Sequence, residues 1–145
     1  MRCFLVLAIT ASIFIGKISY ATPIDEFNSN FSKIVSQYWH PTVKINGIAT
    51  TVFNFKGVSN ELKQKDSKFK KAIAALKKVN TRNLSGDKEK AFWINVYNFG
   101  AMKLVAENYP VDSIRSMKIS LLKHPWSVKA IRVGNKKYSL TEIEK

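Results

Sequence analysis

Cysteine and histidine are scarce in this chain of 145 residues. Cys3 is the one cysteine, and the two histidines, His40 and His124, are distant in sequence and each followed by proline. A lone thiol cannot form an internal disulfide, and isolated imidazoles without paired carboxylates do not match the ligand sets of metal sites. The sequence therefore predicts no metal site and no internal disulfide, so the stability of the domain has to come from hydrophobic packing.

Recognisable catalytic motifs are also missing. The sequence contains no nucleophile elbow, phosphate-binding loop or dinucleotide fingerprint, so it predicts no cofactor. The carboxylates of its second half are scattered, and spacing assigns no pair of them to acid–base catalysis: Glu89, Glu107, Asp112, Glu142 and Glu144. The catalytic residues, if the protein has any, are therefore unknown from the sequence.

Acidic residues are far outnumbered by basic ones. Aspartate and glutamate total 10 against 24 lysines and arginines, which gives a formal net charge of +14. An excess of this size attracts anionic surfaces. The simpler interpretation is a lysine-rich solvated surface without a specific partner.

Residues 1–21 have the layout of a cleavable secretory signal peptide. Arg2 provides positive charge, an almost wholly apolar run extends from Cys3 to Gly16, and a small-residue stretch ends at Ala21. This run is shorter than the roughly 20 apolar residues of a transmembrane helix. We therefore expect a periplasmic or secreted protein of 124 residues, cleaved near Ala21, whose charge falls to +12 with the loss of Arg2 and Lys17. The expected partners are anionic envelope polymers or membrane surfaces, and nucleic acid is a less suitable partner.

The first part of the remaining chain predicts a helix followed by a hairpin. An apolar stripe at helical spacing predicts a helix from Ile24 to Trp39, which His40-Pro41 ends because the residue before proline avoids the helical conformation. β-branched residues on both sides of Asn46-Gly47 predict a tight-turned hairpin between Thr42 and Phe55.

Further along, the pattern predicts a lysine-rich helix and a second hairpin. The helix has a candidate cap at Ser59 or Ser67 and an apolar stripe that includes Phe69. The second hairpin lies between Ala130 and Leu140, with its turn at Gly134-Asn135. Immediately after it, Ser139-Leu-Thr-Glu142 matches the capping box that starts a helix.

The region from Lys90 to Pro110 predicts a helix too apolar for the surface. Between positions 91 and 106, 12 of 16 residues are apolar. Asn95 and Asn98 lie three apart and hence on one face, and because an unpaired buried amide costs about 1–3 kcal/mol, each needs a partner. Two interpretations remain open: the amides brace neighbouring backbone, or they line a ligand pocket to which Tyr97 and Trp126 are further candidates.

Together these elements predict an α+β fold. Residues 22–145 form a helix-rich single domain with a buried central helix and two small antiparallel hairpins. Gly100, which costs about 1 kcal/mol relative to alanine inside a helix, indicates that another element approaches the central helix closely.

Four segments of the chain share an order and spacing with one known family. They are Glu89 to Asn98, with the motif Ala-Phe-Trp-Ile-Asn-x-Tyr-Asn, then Leu104 to Ile114, Pro125-Trp126 and Val133 to Glu144. In these segments the sequence resembles the family called domain of unknown function 547, and the likeness covers about Val52 to Lys145. Members that resemble this chain are often exported bacterial proteins, and the family implies no established activity.

In that family the pattern continues past the Ser-Leu-x-x-Ile-Glu segment into a His-Phe-Ala-Leu stretch and a Cys-Pro. The resemblance therefore implies that residues 22–145 are the N-terminal portion of the domain, in a truncated chain without independent catalysis. One alternative is that the chain is part of a thiol-type hydrolase or transferase whose Cys/His segment is missing here. Another is a cationic module that binds anionic envelope surfaces.

Overall fold

The computed structural model describes residues 21–116, 119–120 and 124–145. These residues form helices and two antiparallel two-stranded sheets, which confirms the predicted α+β class. The helices are α1 (Pro23–Tyr38), α2 (Phe55–Lys63), α3 (Lys68–Lys78), α4 (Gly86–Glu107) and α5 (Leu140–Glu144); the strands are β1 (Trp39–Ile45), β2 (Ile48–Phe53), β3 (Ile131–Val133) and β4 (Lys136–Tyr138). The predicted signal peptide lies outside the described residues except for Ala21, and it stays a prediction.

Helix α1 confirms the first predicted helix with a one-residue shift at each end. A capping box starts it: the Thr22 hydroxyl accepts from the Asp25 amide at 3.2 Å, and the Asp25 carboxylate accepts from the Thr22 amide at 3.0 Å. The backbone becomes extended at Trp39, and β1 runs on through Pro41 with a bulge before Val43. Proline is tolerated there because β1 is an edge strand.

The β1–β2 hairpin turns at the predicted residues. Asn46 and Gly47 have positive φ angles of 51° and 80°, the combination that a type I′ turn requires. Ile45 pairs with Ile48 next to the turn, and Trp39 pairs with Phe53 at the base. The hairpin is therefore closed by its own backbone ladder.

The second strand ends at Phe53. Asn54 then caps helix α2, since its Oδ1 accepts from the Gly57 amide at 2.9 Å. A nine-residue helix that contains glycine has little intrinsic stability, so its formation depends on tertiary packing, such as the complete burial of Val58. No local pattern predicted it. Ser67, one of the two proposed caps, starts the next helix, α3.

An aromatic core joins α1, α3 and α4. Phe99 of α4 is fully buried, and its ring centroid lies 4.6, 5.5 and 5.7 Å from those of Phe69, Phe27 and Phe31. Phe92 adds an edge contact to Phe27 at 6.1 Å. Aromatic pairs at these separations contribute about 0.5–1.5 kcal/mol each beyond area burial. This cluster is the centre of the domain.

Helix α4 is buried along one face rather than on all sides. Phe92, Val96 and Phe99 point into the core, whereas Ile94 is 55% exposed and Asn98 is exposed. The expectation of a helix too apolar for the surface is thus wrong for the face that carries Ile94. In the part of the chain that the structure describes, no helix combines the length and the apolar character needed to cross a membrane.

The close approach predicted at Gly100 is confirmed. A Cβ atom at this position would lie 3.0 Å from Leu140 Cδ2 of α5 and 3.9 Å from Ile131 Cβ of β3. The capping box that starts α5 is also confirmed, with the Ser139 hydroxyl accepting from the Glu142 amide at 3.3 Å. The second hairpin and the last helix therefore pack on α4 where it has no side chain.

Candidate functional site

Two of the predicted site residues line one cavity between α4 and α5. Tyr97 and Asn98 lie there with Trp93 and Ile94 of α4 and with the last two residues of α5, Ile143 and Glu144. The cavity has a volume of about 410 Å³. Lys90 and Glu144 bring one charge of each sign into its lining, so the formal charges of the lining side chains cancel.

Asn95 lies in a different place, although it is three residues from Asn98. Its Nδ2 donates to Asn28 Oδ1 of α1 at 3.2 Å, and both residues line a separate cavity of about 450 Å³. Asn95 thus has the partner that its partial burial requires, but this partner is a side chain and not backbone. The structure does not bring Asn95 and Asn98 into one site.

Trp126 belongs to neither cavity. Its ring contacts that of His124, with centroids 4.2 Å apart and planes tilted by 32°, and the Arg115 guanidinium carbon lies 5.5 Å from its centroid. The Trp126 carbonyl accepts a hydrogen bond from Thr141 Oγ1 at 3.2 Å. These contacts tie the segment before β3 to α5.

A groove on another side of the domain brings together basic side chains from three elements. We call it the basic groove. It has a volume of about 640 Å³, and its cationic members are Lys77 and Lys78 of α3, Arg82 of the 3₁₀ turn Thr81–Asn83, and Lys136 of β4. All four side chains are exposed.

Two hydrogen bonds fix the backbone that lines the basic groove. The Gly134 amide donates to the Leu76 carbonyl at 2.9 Å, which docks the β3–β4 turn on the end of α3. Gly134 has φ +55°, and a Cβ there would lie 2.8 Å from the Val79 carbonyl oxygen, so glycine is required. On the opposite side, Asn80 Oδ1 accepts from the Arg82 amide at 3.1 Å and caps the 3₁₀ turn.

Among the described residues, none that lines the basic groove carries a carboxylate. The ion pairs formed among the described residues lie elsewhere: Lys68–Glu61, Lys103–Glu107 and Lys129–Glu142. Lys136 Nζ lies 4.7 Å from the centroid of the Tyr138 ring, a contact that leaves its charge uncompensated. The groove is therefore a concentrated positive region with outward-facing side chains.

A buried polar cluster lies where the hairpin meets the helices. Glu61 is 4% exposed, and its Oε1 accepts from the Lys68 amide at 2.9 Å, while Oε2 has no hydrogen-bond partner among the described residues. Burial, followed by the adjacent Glu61 carboxylate, raises the pKa of Tyr38 to about 12, and a 3.1 Å hydrogen bond from Gln37 opposes the rise. The phenol is therefore neutral near pH 7. The cluster has the features of a structural contact between elements rather than those of a reactive site.

The two capping boxes also shift carboxyl pKa values. A hydrogen bond from Lys129, followed by one from the Ser139 amide, lowers the pKa of Glu142 to about 2. Hydrogen bonds from the side chain and backbone of Thr22 lower the pKa of Asp25. Both carboxylates serve helix starts, so neither shift identifies a catalytic group.

The described part of the chain shows no candidate metal centre. Within residues 21–116, 119–120 and 124–145, no three histidine, cysteine or acidic side chains lie close enough to hold a metal ion. The thiol-type alternative rests on a Cys/His segment that this sequence does not contain, so it stays a prediction that the structure does not test.

Fold and site together define a helix-rich α+β domain with a basic groove beside its second hairpin. The family model described as "Protein of unknown function, DUF547" matches residues 81–145, and this match supports membership of that family. The resemblance is thereby confirmed for α4, β3, β4 and α5, whereas residues 52–80 lie outside the match. No curated protein and no solved structure matches the chain. The family description assigns no activity.

Sequence reasoning missed the composition of the basic groove. It identified the lysine-rich helix α3 but not Arg82 or Lys136, which reach the groove from segments distant in sequence. The excess of positive charge was the one signal available in the sequence, and it does not show where in the fold the basic side chains lie. The Gly134-Asn135 turn was predicted, but not its docking on α3.

Proposed function

We propose that this DUF547 protein is exported and binds anionic envelope surfaces through the basic groove. One observation carries the proposal: among the described residues, four cationic side chains from three elements and no carboxylate line a single groove. Export rests on the signal-peptide pattern of residues 1–21.

A purely structural role accounts for only part of this cluster. Lys77 and Lys78 lie in the last turn of α3, where positive charge stabilises the helix by about 0.3–1 kcal/mol per residue. Arg82 and Lys136 belong to other elements and gain nothing comparable from that helix end. Bringing four like charges to one place costs repulsion, which an anionic partner relieves.

The ligand chemistry that fits the basic groove is a row of phosphate or carboxylate groups. Each basic side chain near an anionic membrane contributes about 1 kcal/mol, and the attraction falls off within a Debye length. Both anionic phospholipid headgroups and soluble envelope polymers carry such groups. The binding must therefore be sensitive to salt whichever of the two is the partner.

The test compares two variants of the full chain that each lose three positive charges. The groove variant carries Lys78→Gln, Arg82→Gln and Lys136→Gln. The control variant replaces three exposed lysines outside the groove, Lys33, Lys65 and Lys71, with glutamine. Residues 1–21 are the same in all proteins, so any contribution from the apolar N-terminal run cancels.

Binding is measured by cosedimentation with phosphatidylglycerol-containing vesicles and, in a second arm, by titration with polyphosphate, each at low and high salt. We expect the groove variant to bind roughly tenfold or more weakly than the control variant at low salt. Equal losses of affinity in the two variants would assign binding to the overall charge and contradict a specific role of the basic groove. Binding that does not change with salt concentration would contradict the electrostatic mechanism. The comparison of vesicles with polyphosphate identifies whether lipid headgroups or a soluble polymer supply the anionic groups.

A further inference from the structure

The β1–β2 hairpin exposes apolar side chains at its tip. Ile45 is 51% exposed and Ile48 is 71% exposed, and the two face each other as the pair next to the turn. The hairpin packs mainly against itself, and its connection to the helices lies at the base, where the Asn54 amide donates to the Tyr38 carbonyl at 2.9 Å. The isoleucines are therefore held away from the aromatic core.

The contacts of the described residues do not explain why these two isoleucines are exposed. The turn is specified by Asn46 and Gly47, and the ladder by backbone hydrogen bonds, so polar residues at 45 and 48 would preserve both. Ile48 is also the most exposed large hydrophobic residue in the described part of the chain. A pair of exposed isoleucines on a rigid turn is suited to burial against something outside the protein.

The charge around the tip indicates what covers it. Lys44 precedes Ile45 and is exposed, and the chain as a whole carries +14. An apolar tip beside a lysine, on a strongly basic chain, matches an anionic bilayer, in which hydrocarbon accepts the isoleucines and headgroups attract the positive charge. Moving exposed apolar side chains from water into hydrocarbon is favourable, so the two isoleucines add an apolar contribution to the attraction between the basic protein and the headgroups.

We propose that the β1–β2 hairpin inserts Ile45 and Ile48 into the interface of an anionic lipid bilayer. This goes beyond the basic groove, since it names a second contact and commits to lipid as the partner. The hairpin supplies the apolar part of binding, which salt does not screen, and the basic groove supplies the electrostatic part.

The test places an environment-sensitive fluorophore beside the tip without replacing either isoleucine. In full-length protein carrying Cys3→Ser, the label is attached at Ala49→Cys, which is exposed in β2, or at Ser32→Cys, which is exposed on α1, as the matched control. Vesicles of phosphatidylglycerol and phosphatidylcholine are added, and emission wavelength and quenching by aqueous iodide are recorded.

We expect a blue shift and protection from iodide at position 49 but not at position 32. The double variant Ile45→Ser/Ile48→Ser should lose both effects and bind the vesicles roughly tenfold or more weakly, with an unchanged circular dichroism spectrum. A label at position 49 that stays accessible to iodide on vesicle-bound protein would overturn the proposal. So would vesicle binding by the double variant equal to that of the parent.

A second copy of the chain is the competing occupant, because both strands of the hairpin are edges. Sedimentation velocity without vesicles tests it. Self-association of the parent that disappears in the double serine variant would assign the tip to a dimer and overturn the proposal, whereas a monomeric parent supports lipid. If the groove variant loses binding while the label at position 49 stays accessible to iodide, the proposal for the hairpin is contradicted but the proposal for the basic groove is supported.

Discussion

Phe99 and Ile48 are both large apolar residues, but Phe99 is fully buried and Ile48 is 71% exposed. Phe99 is enclosed by rings from α1 and α3, whereas Ile48 meets its strand partner Ile45 and solvent. The aromatic core therefore stabilises the fold, and the hairpin tip contributes little to it. The comparison teaches that apolar residues at the tip are free to serve binding.

The largest effect should come from emptying the aromatic core. Phe99→Ala removes a ring that three others contact, and we expect it to lower the free energy of unfolding by about 3–5 kcal/mol. Chemical denaturation measures this, with Ile94→Ala on the exposed face of the same helix as the matched control. A loss below about 1 kcal/mol for Phe99→Ala, or equal losses for the two variants, would show that the core lies elsewhere.

An intermediate effect is expected at the junction between the two regions. A Cβ atom at Gly57 would lie 2.6 Å from Cε1 of the Tyr38 ring, a stiff group held at the base of the hairpin. Overpacking of this kind costs roughly 1–3 kcal/mol, which outweighs the helical preference for alanine of about 1 kcal/mol. We therefore expect Gly57→Ala to destabilise the protein in thermal denaturation, while Lys56→Ala at the exposed neighbouring position does not. A stabilised Gly57→Ala variant would mean that the Tyr38 ring moves freely.

The smallest effect on stability should come from the hairpin tip. Ile48→Ser changes an exposed side chain, so we expect the free energy of unfolding to stay within about 0.5 kcal/mol of the parent. The same denaturation experiment checks it, with Thr51→Ser, at another exposed position of β2, as the control. A decrease of about 2 kcal/mol or more in the free energy of unfolding would contradict the expected difference in stability contribution between tip and core.

Local signals explain which parts of the fold were predictable. Asn46-Gly47 specifies its turn through the φ angles these residues tolerate, and Ser139 specifies the start of α5 through a hydrogen bond three residues away. Gly100 predicted a close approach but not that Leu140 would make it. Helix α2 escaped prediction because its stability comes from packing.

The candidate sites were less predictable than the fold. Asn95 and Asn98 share a helix face in the sequence pattern, yet α1 lies beside one and α5 beside the other, so they line different cavities. Trp126 was a reasonable aromatic candidate, but its ring contacts His124 and lines neither cavity. Which neighbour covers a helix face depends on contacts between segments far apart in the chain.

The sequence by itself determined the excess of positive charge, the family motif and the positions of the turns, because these depend on composition or on residues close in the chain. Only the tertiary structure decided where charge and apolar surface are concentrated. The hydrogen bond from Gly134 to Leu76 brings Lys136 to the end of α3, and the packing of the described residues leaves Ile48 exposed at the hairpin tip. Net charge is a sum that folding does not change, whereas a groove or an exposed tip exists only once distant segments have packed.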